Sequence, residues 1–501
     1  MSKPLPSVAE PLYAVIDLGS NSFHMLIARL VADSVQVVDK VKRKVRLASG
    51  LDDNHMLDDK SMARGWECLS FFAERLQDIP RENIRVVATA TLRLAKNADV
   101  FLQQAETVLG FPIEVITGEQ EARHIYLGAA HTTCGAEARL VIDIGGASTE
   151  LVVGQQFEPK IVRSLDIGCV TFNHRYFSGG VLSEQAFNDA IRAAKTKLSA
   201  IKSDYQQFGW DLVLGVSGTL QAAAETLSAQ GLGQKLTLEN LRLLKTQVIA
   251  GQQLNQLNIV GLQDDRKPVF APGLAILIAI LEEFAIDEVQ LAGGAIREGI
   301  LYELLPNMRN MNIRQRTLMG LIERFSIDEM HAYRVANLAD KAVSQVQKSW
   351  QLSNELASIL QSACVLHEIG LLLEFKRSKK HAQYILANTV LAGFSHDQRL
   401  LLTALVANYK TDINLSVITE QSYTEQQKAI YLIVLLRLAV ILAKRRRDDA
   451  MPDFILQASE NTLVLKLPQA FCQKHPLISA ELKQECKDIT ACGFHFSIER
   501  N

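Results

Sequence analysis

The chain has 501 residues, 48% hydrophobic and 22% charged, an ordinary globular composition spread over too great a length for a single domain. A formal net charge of −2 excludes a strong global field that would draw it to nucleic acid or to an anionic membrane. Seven scattered cysteines with no C-x-x-C pair argue against a disulfide framework or a cysteine zinc site, and for a reducing compartment.

Met1–Glu10 is polar with two prolines and has no apolar signal core. The longest apolar runs, near Phe270–Leu281 and Ile430–Ala443, fall short of the roughly 18 unbroken residues of a membrane span, and Arg437 interrupts the second. A cytoplasmic protein with no membrane span is therefore expected. Strand-type runs at Leu12–Ile16, Phe23–Arg29 and Ser34–Val41 open the chain. Helical spacing follows at Ser61–Leu76, then a buried strand at Ile84–Ala88, a helix at Asp99–Leu109 and a short strand at Ile113–Ile116. A helix then runs to about Gly128. The pattern restarts with strands at Arg139–Ile142 and Thr149–Val153, helices around Ser183–Ile201 and Thr219–Ala229, and strands at Leu212–Gly215 and Glu288–Leu291. Composition changes at Pro306–Arg316. From Thr317 to Ala443 nearly everything has helical periodicity, strongest at Leu356–Leu366 and Ala429–Leu442. Phe454–Gln457 and Thr462–Leu467 form an expected hairpin, and Phe494–Ile498 a third strand.

Two stretches repeat one motif. Asp17-Leu18-Gly19-Ser20-Asn21-Ser22 and Asp143-Ile144-Gly145-Gly146-Ala147-Ser148 both read D-x-G-x-x-S after a strand. Strand-type residues follow each, so an anion would be held by successive backbone N–H groups of a hairpin turn, with glycine allowing close approach and serine hydroxyls adding donors. Asp17 and Asp143 would face a phosphate-bound Mg²⁺ through oxygen ligands or waters. Ordinary turn chemistry also selects Asp, Gly, Asn and Ser, but the repetition favours the phosphate site. Ser217-Gly218-Thr219, between a strand and a helix, is a second kind of phosphate-facing turn. Gly293-Gly294 could pass close to a ligand or mark tight packing.

Glu119 and Glu121 follow Gly118 at a strand end. Phosphoanhydride hydrolysis needs a base that orients water in line with the leaving oxygen, and a carboxylate aimed into a cleft can do this; acidic residues also simply suit helix N-termini. The basic candidates for balancing a polyanion are Lys42–Arg46, Arg93, Arg266-Lys267 and Arg297. Arg445-Arg446-Arg447 ends a helix, where it suits the dipole or an interdomain contact.

Ile16–His24 (IDLGSNSFH), Ala88–Ala95 (ATATLRLA), Thr117–Arg123 (TGEQEAR), Val141–Leu151 (VIDIGGASTEL), Gly215–Thr219 (GVSGT) and Leu291–Gly299 (LAGGAIREG) together resemble the exopolyphosphatase/guanosine pentaphosphatase family over essentially the whole length. The resemblance implies an α/β fold of two actin-like, ribonuclease H-like lobes (the ASKHA superfamily), residues 1–125 and 126–308. An all-helical HD-like domain, 309–445, and a small α+β domain, 446–501, would follow. Ala147, Gly293 and the Arg-rich Arg437–Asp449 segment resemble the guanosine pentaphosphatase branch. That branch removes a terminal phosphate from pppGpp to give ppGpp, within the stringent response, with polyphosphate as a possible second substrate. By the same resemblance Glu121 matches the catalytic base, Asp143 the metal-facing residue and Glu150 a cleft acid near metal and water. Mg²⁺ is the implied cofactor and a homodimer the implied assembly.

The expected phosphate contacts are Gly19, Ser20, Asn21, Ser22, Arg93, Gly145, Gly146, Ser148, Ser217, Gly218 and Thr219. His24, Arg266 and Arg297 are candidates for guanine or polyanion contacts, with a buried structural role the alternative for His24. The HD-like region departs from its pattern. His331 matches the opening histidine, but the His-Asp pair reads His367-Glu368 and the late metal aspartate falls on Val440, so no HD hydrolase activity is expected. That region would serve dimerisation and basic surface. A sugar kinase or actin-like ATPase, a primary exopolyphosphatase, and a non-catalytic nucleotide sensor are the competing readings. Relative turnover of pppGpp, polyphosphate and ATP separates them.

Overall fold

The computed structural model describes residues 11–31, 34–52, 54–133, 138–305, 312–450, 453–490 and 492–500. The chain forms two compact units, Met1–Leu30 with Val35–Met311, and Val31–Ser34 with Asn312–Asn501.

The first unit holds two sheets built on one plan. β1 (Leu12–Leu18), β2 (Phe23–Val31), β3 (Ser34–Arg43), β4 (Ile84–Ala88) and β5 (Glu114–Val115) lie in the order β3-β2-β1-β4-β5. The second sheet contains β6 (Ala138–Ile144), β7 (Thr149–Gln155), β8 (Glu158–Leu165), β9 (Leu212–Gly215), β10 (Leu236–Thr237) and β11 (Glu288–Leu291). Its order, β8-β7-β6-β9-β11, repeats the first, with β10 added antiparallel at the edge. In each sheet an antiparallel hairpin (β1/β2, β6/β7) is followed by a parallel pairing (β1/β4, β6/β9).

The repeat has a packing reason. β1 and β6 are covered on both faces, so each is a near-continuous apolar run that ends in its aspartate motif. Ala14, Ile16 and Leu18 point into one core, Leu140, Ile142 and Ile144 into another, while Val15 and Val141 share a third with Ile125, Tyr126 and Ile300. That shared core lies along the helices Gly118–Ala130 and Ile296–Leu304, which join the two halves. The first of these helices runs through the expected border at 125/126. The two approach backbone to backbone, since a Cβ at Gly299 would overlap the His124 carbonyl oxygen and one at Gly294 would sit 2.7 Å from the Gly128 oxygen. Gly294 is therefore small for packing, not for a ligand.

The second unit consists of helices that include Ile313–Arg324, Glu329–Val346, Asn354–Leu366, His396–Ala407 and Gln426–Leu442. These are followed by β12 (Ile455–Ser459), β13 (Thr462–Leu467), the helix Pro476–Thr490 and β14 (His495–Arg500). β12 and β13 form the expected hairpin, and β14 joins β13 in parallel. Helices and sheet share one core, with Leu435, Leu463 and Phe494 in the same cluster. Arg437, which breaks the apolar run in the sequence, is 1% exposed and held by Glu485 through two bonds of 2.5 and 2.7 Å, with the Thr411 carbonyl at 2.7 Å. A buried guanidinium is tolerable only when paired and hydrogen-bonded in this way. Asn354–Leu372 is long and apolar enough to cross a membrane by length and composition, but 61% of that window is buried in protein, as befits a core helix.

Candidate active site

The two motif turns meet. In the first hairpin Asp17 lies opposite His24 and Leu18 opposite Phe23, leaving Gly19–Ser22 as the turn. A Cβ at Gly19 would stand 2.9 Å from the Ser22 carbonyl oxygen, so glycine is required there. The Ser20 and Asn21 carbonyls are tied to the Ala48 and Arg46 amides at 2.9 and 2.8 Å. Ser22 Oγ is buried without a hydrogen-bond partner, an orphan hydroxyl in a turn suited to an anion. In the second hairpin Asp143 lies opposite Glu150, and Gly145 N donates to Ser148 O at 2.9 Å. The Gly145 and Gly146 carbonyls accept from the Cys169 and Val170 amides at 2.9 and 2.8 Å. A Cβ on Gly146 would lie 3.2 Å from Ser20 Cβ, so the turns touch.

Glu121 reaches the same place from a different element. Its helix begins with a capping box in which Thr117 and Gln120 satisfy each other's backbone N–H groups, fixing the first turn that carries Glu121. Arg93, from the short helix after β4, donates to Glu121 Oε2 at 3.2 Å and to the Ile116 carbonyl at 2.8 Å. A Cβ on Gly118 would lie 2.6 Å from Ser164, whose Oγ donates to Glu150 Oε1 at 2.7 Å. Gly118 thus lets the Glu121 helix come down over β8 and the Glu150 hairpin.

The carboxylates repel one another. Burial, then Glu150, pushes Glu121 well above the usual carboxylate range, against the pull of Arg93. Burial, followed by Glu150 and Asp17, raises Asp143 to about 8, and burial raises Asp17 to about 6 against the pull of Arg297. Both aspartates keep a solvent-facing edge, yet protein surrounds them on the other sides. Glu150 is also raised by burial, an effect opposed by the hydroxyls of Ser148 and Ser164. The cluster is short of positive charge, and its hard oxygen donors are the kind that hold a divalent cation.

A basic flank adjoins it. Arg297 Nη1 bonds His24 Nδ1, and burial, then Arg297, pushes the imidazole down to about 3. His24 is therefore a neutral acceptor that positions Arg297. Arg266 packs on Gly218, where a Cβ would lie 2.6 Å from its guanidinium. Burial, then Arg266, lowers the Lys42 ammonium. Ser217 caps the helix Gly218–Ala229, and Thr219 Oγ1 lies 3.4 Å from the Ile144 carbonyl, beside the second turn. A cavity of about 920 Å³, lined by Gln120, Arg123, His124 and His131 among others, flanks the Glu121 helix and includes none of the carboxylate cluster.

The structure thus gathers Asp17, Asp143, Glu150, Glu121 and Arg93 around the touching turns, with Arg297 against His24 and Arg266 against Gly218. Ser164 and Thr91, whose Oγ1 is buried without a partner, were not singled out by sequence reasoning. Thr91 lies inside a quoted motif, whereas Ser164 has no local signal.

Residues 26–308 match the model of the Ppx/GppA phosphatase family, and residues 313–486 match Ppx/GppA phosphatase, domain III. A guanosine-5'-triphosphate,3'-diphosphate pyrophosphatase of Pseudoalteromonas translucida is 48% identical over 485 residues, covering 96% of this chain and 97% of the relative. The protein of the same name from Aeromonas hydrophila is 48% identical over 476 residues, 95% of this chain and 96% of its own. Among solved structures, an Aquifex aeolicus PPX-GPPA enzyme superposes with a TM-score of 0.51 at 25% identity, over 58% of this chain and 99% of its own. An exopolyphosphatase from Cytophaga hutchinsonii superposes with a TM-score of 0.54 at 22% identity, over 60% and 99%, a likeness of fold.

Proposed function

The chain belongs to the Ppx/GppA phosphatase family, and on that premise we propose that it hydrolyses the terminal 5'-phosphoanhydride of pppGpp, giving ppGpp and phosphate. The observation that carries this reading is the convergence of Glu121 with Asp143 and Glu150 beside two glycine turns. A water oxygen attacks the terminal phosphorus as its proton passes to Glu121. The bond from that phosphorus to the bridging oxygen breaks, and the electron pair leaves on ppGpp. A carboxylate whose proton affinity is raised by burial and by Glu150 is a better base than an ordinary surface glutamate, and Arg93 keeps it aimed and ionisable.

The turn amides of Gly19–Ser22 and Gly146–Ser148, the Ser22 hydroxyl and the helix start at Ser217–Thr219 bind phosphate oxygens. Asp17, Asp143 and Glu150 would hold Mg²⁺, which when bound offsets their repulsion and the charge of the phosphates. Lys42, Arg266 and Arg297 form a cationic flank for the rest of the polyanion. The same flank favours polyphosphate as a second substrate, since a chain of phosphates needs successive cations and no base pocket. The cysteines Cys68, Cys169, Cys364, Cys472, Cys486 and Cys492 are free thiols, which fits a cytoplasmic setting. A homodimer belongs to the same reading, and light scattering checks it.

Phosphate release with Mg²⁺ and, separately, pppGpp, polyphosphate and ATP tests the proposal. Turnover highest on pppGpp supports it. Preference for ATP would favour a kinase-like activity, preference for polyphosphate an exopolyphosphatase, and binding without turnover a sensor.

A further inference from the structure

We infer that the second unit carries a site for a borderline divalent cation of the zinc class, formed by His331, His367 and Glu368. One ligand atom from each of the three lies within 4.8 Å of the others. They come from separate elements: His331 from the first turn of Glu329–Val346, His367 from the end of Asn354–Leu366, and Glu368 next to it.

The second observation is the state of the imidazoles. Both side chains are almost fully buried, at 3% and 1% exposure. His331 Nδ1 and His367 Nε2 have no hydrogen-bond partner. His367 Nδ1 lies 2.7 Å from the Cys364 carbonyl and donates to it, which leaves Nε2 as a bare lone pair inside the protein. A metal-binding histidine is commonly fixed in this way, one ring N–H on a carbonyl and the other nitrogen aimed at the ion. Glu368 Oε1 is held by Arg446 Nη2 at 2.5 Å, and Arg446 Nη1 reaches Asp328 Oδ2 at 3.0 Å. The guanidinium therefore braces the carboxylate without satisfying the unpartnered imidazole nitrogens. Two nitrogens and one carboxylate suit Zn²⁺ or a similar first-row ion, with water completing the shell. Mg²⁺, which prefers oxygen, is the ion for the carboxylate cluster of the first unit. The site lacks the late aspartate that Val440 replaces, so the inference is of ion binding that stabilises the helical core, without hydrolysis. His381 is not part of it and lies 3.6 Å from Glu374.

The test uses the full chain, stripped with chelator, re-equilibrated with Zn²⁺ under excess Mg²⁺, and assayed for bound zinc and melting temperature. Wild type and D143N are expected to retain about one zinc per chain and melt higher with zinc. H331Q and E368Q, folded by circular dichroism, are expected to bind at least about tenfold more weakly. X-ray absorption on the wild-type complex, which needs no variant, is expected to report imidazole nitrogen among the zinc ligands. Wild type that retains no zinc, a folded H331Q with wild-type content, or a spectrum with oxygen ligands alone would overturn the inference.

Discussion

The two hairpins place an aspartate at the same point of the same topology and differ in what lies across the strand. Asp17 faces His24, and Asp143 faces Glu150. The histidine is neutral and fastens Arg297, which makes the first turn a holder with a cation beside it. The glutamate adds a second carboxylate, steadied by Ser164, which makes the second turn the acidic side of the cleft. In the proposed mechanism a duplicated scaffold thus divides its labour at one cross-strand position. Glu121, on neither hairpin, is the proposed base.

That division predicts unequal effects from equivalent changes. D143N should lower turnover on pppGpp by about 10²-fold or more, and D17N by less, because Asp143 lies opposite Glu150, so that the two carboxylates would hold Mg²⁺ together, whereas Asp17 lies opposite a histidine. Steady-state phosphate release checks this, and equal losses would break the asymmetry. S164A should weaken the Mg²⁺ dependence of turnover by about tenfold, since it removes a hydrogen bond that orients Glu150. Titrating Mg²⁺ against rate reads this out. H24A should raise KM for pppGpp by about threefold to tenfold with a smaller change in kcat, because Arg297 loses its positioning partner. A kcat loss at constant KM would contradict a holding role for the first turn.

The smallest effect is on stability. Asp17 and Asp143 are raised from 3.8 to about 6 and about 8, so the folded chain keeps these protons after the unfolded chain has lost them. The unfolded state then binds fewer protons, and stability falls as pH rises between about 4 and about 8. Without divalent cation the melting temperature should decline across that window, less so in D143N, and Mg²⁺ should restore more at the alkaline end. A decline of the same size in D143N would remove Asp143 as its source.

Much of this was legible because it is local. Both aspartate motifs follow strands that read as apolar runs, and Leu212–Gly215 and Glu288–Leu291 lie where the pattern puts them. β8 was not, because Glu158-Pro159-Lys160 blunts its alternation, and Ser164 was lost with it. Lys267–Phe284 shows in the sequence only as an apolar run. It is buried nearly all round, so it lacks an amphipathic stripe, and Pro272 sits inside it. The pairing of His24 with Arg297 joins distant segments through tertiary packing and has no sequence period to reveal it.

The central claim is that Glu121 is the base. The most direct measurement compares E121Q with wild type for both pppGpp binding and single-turnover phosphate release. The account predicts binding within a few fold of wild type and release slowed by about 10²–10⁴. Release near the wild-type rate would contradict it.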